Sequence, residues 1–522
     1  MNSVQSPTSP TSPSDSAAWR NVACLGLVQA CMGAVVVTTT TTLNRVMVVE
    51  LNLPAVLPGF LIGMHYLVQI VRPRMGFGAD QTQRFTPWIL GGMVTLSLGG
   101  VLAALATTWM GAHLVLGVLC AVVAFGLIGV GVSACGTTLL VLLSKGVGEH
   151  QRATSATLVW TMMIFGFALT SILSGKFLDP FTFDRLLGVS LVVSVLTVVI
   201  SSLAMWGLEG RLLKRETIVA EDLPVGHSAV VPETSHATRS EGESHSEKHQ
   251  AFKQALKMLW SDAQARLFTF FVFSSMLAYS AQDLILEPFA ALIYHYTPGQ
   301  TTQLSGTLHV AVLIGMLLLA LMGSRWVKGR WGRVSTWMVL GCLLSALGMF
   351  GLCTAGFLGS VSPVLPLQPV LWVLGVGNGL FSIAAISTMM RLATQPSPRQ
   401  SLSNNGFIAN KGSVKPGLRM GLWGGAQALA FGLGGLLGTG ASDLSRHWVG
   451  NPSLAYASVF ALEVVMFLCS AFIAWRVKTI RPEDPAPEHL EASALEASGA
   501  WPLRGEVRVS FKASSNHTLN AI

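Results

Sequence analysis

The sequence predicts an all-α polytopic membrane protein that crosses the bilayer twelve times, as two halves of six helices. Three observations carry this. Charged residues are 11% of the 522 residues and apolar residues 51%, whereas an average soluble domain carries roughly 25% charged residues. So few charges cannot cover a water-facing surface. The apolar residues gather into twelve runs, most of them near the ~20 residues that span a hydrocarbon layer. The layout of the first six runs then returns after a polar interruption.

The runs cover roughly 21–42, 55–71, 87–108, 112–143, 155–175 and 186–208, then 266–290, 305–324, 335–357, 364–390, 419–440 and 453–475. The fourth and tenth are long enough to tilt or project. Sidedness follows from basic residues, which favour cytoplasmic loops. Fourteen Lys and Arg fall in the short gaps after even-numbered runs, against four (Arg45, Lys176, Arg185 and Arg446) after odd-numbered ones. Both termini are therefore expected in the cytoplasm of a multi-pass protein. The same bias accounts for the net charge of +8, so nucleic acid is not an expected partner.

Residues 1–20 read as a disordered tail and 21–208 as the N-terminal six-helix half. Residues 209–265 read as a cytoplasmic linker, with few large apolar residues between 209 and 250. Its histidines (His227, His236, His245 and His249) have no metal-site spacing. Near 251–262 the stretch AFKQALKMLWSD puts Phe252, Ala255, Leu256, Leu259 and Trp260 on one helical face, the pattern of a helix lying on the membrane surface. The C-terminal half is expected at 266–475 and a polar tail at 476–522. The seven cysteines sit in or beside apolar runs with no CxxC pair, and read as small hydrophobes. No cleavable signal peptide is evident.

The halves repeat. Runs one and seven begin about 245 residues apart, and so do Gly76 and Gly323 in matching loops. Six plus six helices around a cytoplasmic linker is the plan of the major facilitator superfamily. Arg72, Arg74, Gly76 and Asp80 form a degraded version of its loop signature, while Val327 stands where the second acid would be.

Four stretches are more specific: TTTTLNRVMVVELNLPAVLPG (39–59), MHYLVQIVRPRMGFGAD (64–80), AQDLILEPF (281–289) and MGLWGGAQALAFGLGG (420–435). Together they resemble the PucC-like, or bacteriochlorophyll delivery, branch of that superfamily. The resemblance implies a non-enzymatic assembly factor for bacterial light-harvesting complexes. Its residence would be a cytoplasmic or intracytoplasmic membrane. Its ligand would be bacteriochlorophyll or a late precursor, not covalently attached. Its partners would be the lipid bilayer, antenna polypeptides and pigment-synthesis enzymes. Fold alone would favour a proton-coupled secondary transporter of a small solute, whereas these stretches favour the assembly factor.

Charge inside a spanning segment is costly and usually functional. Gln282, Asp283 and Glu287 form the best cluster, with the two acids four residues apart on one face. Asn44, Arg45 and Glu50 occupy the matching end of run one. An Arg45 bridge to Asp283 or Glu287 would close one side of the molecule; alternatively, all of these residues simply end helices in water. His65, beside Tyr66 and Gln69, is a candidate axial ligand for pigment magnesium, with Gln69 and Asn378 as alternatives. A lone buried His is more often a hydrogen-bonded packing residue. No separate metal site is expected. GVGNG (375–379) lies in an apolar run with no strand before it, so it is not a dinucleotide fingerprint. Gly421, Gly425, Gly434 and Gly438 have the spacing of close helix packing.

Overall fold

In the computed structural model, residues 15–72, 84–147, 149–212, 260, 262–322, 334–359, 365–394 and 416–477 are described. They form twelve main helices: α1 (Asp15–Val37), α2 (Val56–Val68), α3 (Thr86–Met110), α4 (Leu114–Gly146), α5 (Glu149–Leu178), α6 (Phe183–Met205), α7 (Ala263–Tyr294), α8 (Pro298–Met322), α9 (Val334–Gly359), α10 (Leu367–Thr394), α11 (Pro416–Val449) and α12 (Pro452–Arg476). Ten are long and apolar enough to cross a membrane. The other two are α2 and α11, which pack against each other. Large apolar side chains such as Leu203, Trp206, Phe350 and Phe472 point outward, as lipid contact requires.

Turn chemistry ends the helices where the apolar runs stop. Thr182, Asp262 and Asn451 accept N-cap hydrogen bonds at α6, α7 and α12, each of the kind worth about 1 kcal/mol. Pro298 and Pro452 open their helices, where a missing N–H costs nothing. His295 adopts the left-handed conformation that closes α7. The turns after α1, α3, α5, α7 and α11 are short, and they share one end of the bundle, here called the tight-turn face.

Each half has its own apolar core. The repeat is visible in how third and fourth helices meet. Gly92, Gly99 and Gly131 let α3 and α4 touch through backbone, and Gly341, Gly348 and Gly377 do the same for α9 and α10. These sets lie about 250 residues apart, the repeat distance of the two halves. Gly375 and Gly379 pack on α8, so GVGNG is helix-packing glycine. All seven cysteines are free thiols.

Three helices extend beyond the expected runs. The first continues through Glu50, α7 through Tyr294, and α8 begins at Pro298 rather than near 305. Polar residues at these places had suggested helix ends. Asn44, Arg45, Gln282 and Glu287 are instead buried within continuous helix, whereas Asp283 is partly buried and Glu50 is exposed, so the helix-end alternative is corrected for the first four. Residues 1–14 and 478–522 of the expected tails, nearly all of the linker, the surface helix apart from Trp260 and Asp262, and Arg74, Gly76 and Asp80 lie outside the described residues, while residues 15–20, expected in a disordered tail, belong to α1.

Candidate functional site

The first helix reaches the other half through an unusual backbone. After Val37 it passes through a π-helical turn at Thr38–Thr42, an α-helical step at Leu43–Arg45, and a second π-helical turn at Val46–Glu50. The sequence explains the first. Five consecutive threonines are β-branched, and their hydroxyls compete for helix carbonyls. Thr38, Thr40 and Thr41 each donate to the carbonyl four residues back, and Thr39 donates to Val35 and Val36. Single π turns inside helices gather at functional sites. Here they frame Asn44 and Arg45, both almost wholly buried.

Asn44 meets α7 at a point prepared by a proline. Pro288 lies inside α7 and has no N–H. The carbonyl of Leu284, four residues earlier, therefore loses its helix partner. The side-chain amide of Asn44 donates to that carbonyl at 2.7 Å. A gap in one half's helix is filled by a side chain from the other. Two residues earlier, Thr42 and Thr302 of α8 share a hydroxyl contact at 3.3 Å.

Arg45 pairs with Glu50 and donates to the backbone carbonyl of Tyr296, just past α7. This corrects the expected bridge to Asp283 or Glu287. The second π turn brings Glu50 back toward the guanidinium, and the link to the C-terminal half is made through a carbonyl. Glu287 is fully buried and neither of its oxygens has a hydrogen-bond partner. Arg45 and Thr41 are within its electrostatic reach. Asn44 Oδ1, Arg45 Nε and Gln282 Nε2 are also buried without partners. Asn44, Arg45 and Glu287 thus bring unused donors and acceptors to the seam, an arrangement that can take up water or a polar ligand group.

Gln282 turns into its own half, where Asn378 donates to it at 3.1 Å and Ser345 donates to Asn378 at 2.7 Å. Asp283 is half-buried. His65 is enclosed, with Nε2 2.9 Å from Gln69 Nε2 and Nδ1 unpartnered. It stacks on Tyr66, and Tyr66 stacks on Phe431 of α11 with ring centroids 5.1 Å apart. Arg72 donates to Gln69 where α2 gives out. His309 has Nδ1 2.8 Å from the Ser305 carbonyl, the packing role expected of a lone buried His. Gly434 and Gly438 fit against α7, whereas Gly425 faces open space.

Two carboxylates close the tight-turn face, and neither was singled out in the sequence. Asp179, past α5, accepts from Thr297 Oγ1 at 2.7 Å and from Gly299 N at 3.1 Å, capping α8 of the other half. Asp443 of α11 accepts from Val56 N at 2.7 Å, capping α2. Helices five and eleven are counterparts in the repeat, as are eight and two, so the caps are related by it. A negative group at a helix N-terminus is favoured by the macrodipole. Their partners lie far away in sequence, so no local pattern marks them. Glu463 was missed too, although it falls on the buried stripe Tyr456, Phe460, Phe467 and Ser470 of α12.

The two six-helix halves and their seam define a membrane protein of the major facilitator superfamily fold. Two inward-facing transporters share that fold. A bacterial homologue of the human lysosomal transporter Spinster has TM-score 0.59 at 13% identity, covering 90% of this chain and 97% of its own. The xylose transporter XylE from E. coli has TM-score 0.59 at 15% identity, covering 92% and 99%. Within that fold, residues 42–481 match the family model described as PUCC protein, and the chain belongs to that family. The bacteriochlorophyll synthase 44.5 kDa chain of Rhodobacter capsulatus is 41% identical over 465 residues, 89% of this chain and 96% of the relative. Protein PucC of Cereibacter sphaeroides is 28% identical, covering 86% and 90%.

Proposed function

We propose that this protein is an assembly factor for bacterial light-harvesting antenna complexes, binding bacteriochlorophyll or a late precursor and delivering it within the membrane. The supporting observation is the full-length likeness to relatives named for bacteriochlorophyll synthesis and for PucC. The role is non-catalytic: the chain holds pigment, and partner enzymes and antenna polypeptides supply and receive it. The tight-turn face lies on the periplasmic side of the inner or intracytoplasmic membrane, with both termini in the cytoplasm, in keeping with the basic residues of the opposite loops. Pigment binds to apolar surface along the seam of α2 and α11, where Tyr66 and Phe431 already stack. His65 ligates pigment magnesium only after leaving its bond to Gln69.

The test is purification of the full chain from a pigment-making host in mild detergent, with near-infrared spectra and pigment extraction. Co-purifying pigment, and antenna complexes lost on gene deletion and restored by the wild-type gene, are the expected results. Normal antenna yield after deletion overturns the reading. The unpartnered Glu287 beside Arg45 favours a second reading, proton-coupled transport of a small solute. It predicts solute-driven proton movement in proteoliposomes free of pigment.

A further inference from the structure

Glu463 belongs to none of the contacts between the halves. It lies near the middle of α12, is 1% exposed, and has no hydrogen-bond partner on either carboxylate oxygen. Its position relative to α7 follows from contacts on both sides. Toward one end, Ser470 donates to Ser274 at 2.9 Å. Toward the other, Phe460 packs edge-on against Phe289 at 5.0 Å. The helices are antiparallel, so this register sets Glu463 opposite Gln282 and Asp283. Against α9, the bond from Ser453 to the Gly356 carbonyl at 2.6 Å sets apolar residues, Ala346 and Met349 among them, opposite Glu463. Against α11, the Ser445–Ser458 contact at 2.7 Å sets the glycine-rich stretch near Gly440 opposite it.

The titratable groups around it are therefore few. From α7 come Asp283, Tyr279 one turn before and Glu287 one turn after. From α9 comes the Cys342 thiol. Asp443 and Arg446 of α11 are engaged at the tight-turn face with Val56 and Tyr456. Tyr66 of α2 reaches Asp283 electrostatically from the other half. Arg45 and Arg72, the nearest cations of α1 and α2, are committed to Glu50 and Gln69. Among the described residues no cation pairs with Glu463. A second observation falls in the same layer: the fully buried Gln282 amide has an unused N–H donor.

A buried carboxylate without a cation or donor is expensive, and a neutral carboxylic acid removes most of that cost. A metal cation would demand a shell of oxygens, and the apolar walls from α9 do not supply one. We propose that Glu463 is an internal proton-binding site of the C-terminal half, exchanging its proton with Asp283 across the α7–α12 contact. The step moves one proton: the O–H bond of the Asp283 carboxyl, or of a hydronium ion reaching the site, breaks as the Glu463 O–H bond forms, leaving the Asp283 carboxylate or water. The site links to the seam because Asp283 is within electrostatic reach of Tyr66 in the other half. With the proton on Glu463, Asp283 carries the charge and attracts the Tyr66 hydroxyl dipole. With the proton on Asp283, that attraction is lost. The inference holds whether the protein handles pigment or solute.

The experiment is infrared difference spectroscopy of the full chain in lipid nanodiscs across a pH series, in H2O and D2O. The wild type should show a protonated-carboxyl stretch that shifts in D2O and disappears in Glu463→Gln. Asp283→Asn should keep that band and move its titration. A Glu463→Gln spectrum with the complete wild-type set of carboxyl bands overturns the proposal. If Glu463→Gln fails to fold, Glu463→Asp serves: a displaced carboxyl band supports the site and an unmoved one overturns it.

Discussion

The two halves meet along two seams that the repeat makes equivalent, α5 with α8 and α2 with α11, yet the seams are built differently. At α5–α8, Gly175 and Gly299 bring backbone against backbone, Gly306 sits against Ile172, and Asp179 accepts two hydrogen bonds from the start of α8. At α2–α11, Gly59 meets Thr439, Gly63 approaches Gly432 more loosely, Tyr66 stacks on Phe431, and Asp443 accepts one bond. The first seam is short-range backbone packing with no slack. The second ends in aromatic rings, which can slide over one another. One fold plan has produced a tight joint and an adaptable one.

The largest expected effect comes from adding bulk to the tight joint. A Cβ on Gly299 would overlap the Gly175 carbonyl and the Asp179 carboxylate, and both helices would have to part. Gly299→Leu should cost about 3 kcal/mol and sharply reduce folded protein on size-exclusion chromatography. Gly63→Leu, with 3.0 Å to the Gly432 carbonyl, should lose far less. Equal losses would erase the distinction between the seams.

Next in size is the ion pair between the seams. Arg45→Ala strands the Glu50 carboxylate and frees the Tyr296 carbonyl. A broken buried pair costs about 3–5 kcal/mol, and the half-exposed Glu50 puts the expected loss toward or below the lower end. Glu50→Gln combined with Arg45→Ala should recover part of it in thermal unfolding of the purified protein.

Much of this was legible in the sequence, and the limits have physical causes. Hydrophobic runs placed all twelve helices because each carries an apolar stretch, although only ten are long and apolar enough to cross a membrane. Asn44, Arg45 and Glu287 stood out because polar groups there are rare, and burial between the halves is where they were found. Their partners were not legible. Arg45 takes Glu50 because a π turn rotates the chain, and turn type does not follow from hydropathy. Asp179 and Asp443 look like ordinary loop and helix-end acids until folding brings a helix start from the other half against them. Glu463 was readable from the stripe of α12.

The caps give a smaller test. Asp179→Asn keeps an acceptor but loses the charge facing the α8 N-terminus, and about 1 kcal/mol is at stake. Asp443→Asn, with one bond to weaken, should lower the unfolding temperature less. The reverse order would show that the adaptable seam depends more on its cap. Smallest is the coupling of Asn44 to Pro288. Pro288→Ala restores an N–H that competes for the Leu284 carbonyl, so Asn44→Ala should cost about 1 kcal/mol in the wild type and less in the Pro288→Ala background.

That proline gives the seam a memory of its closed position. A helix with a missing internal bond is ordinarily weak at that place, free to flex and solvated if water reaches it. In α7 the defect is repaired only while the first helix stands beside it. Any motion that draws the first helix away leaves that buried carbonyl without the amide that satisfied it. Separation of the halves therefore begins with a toll set by a single residue, and a guest able to donate a hydrogen bond at that spot would lift it.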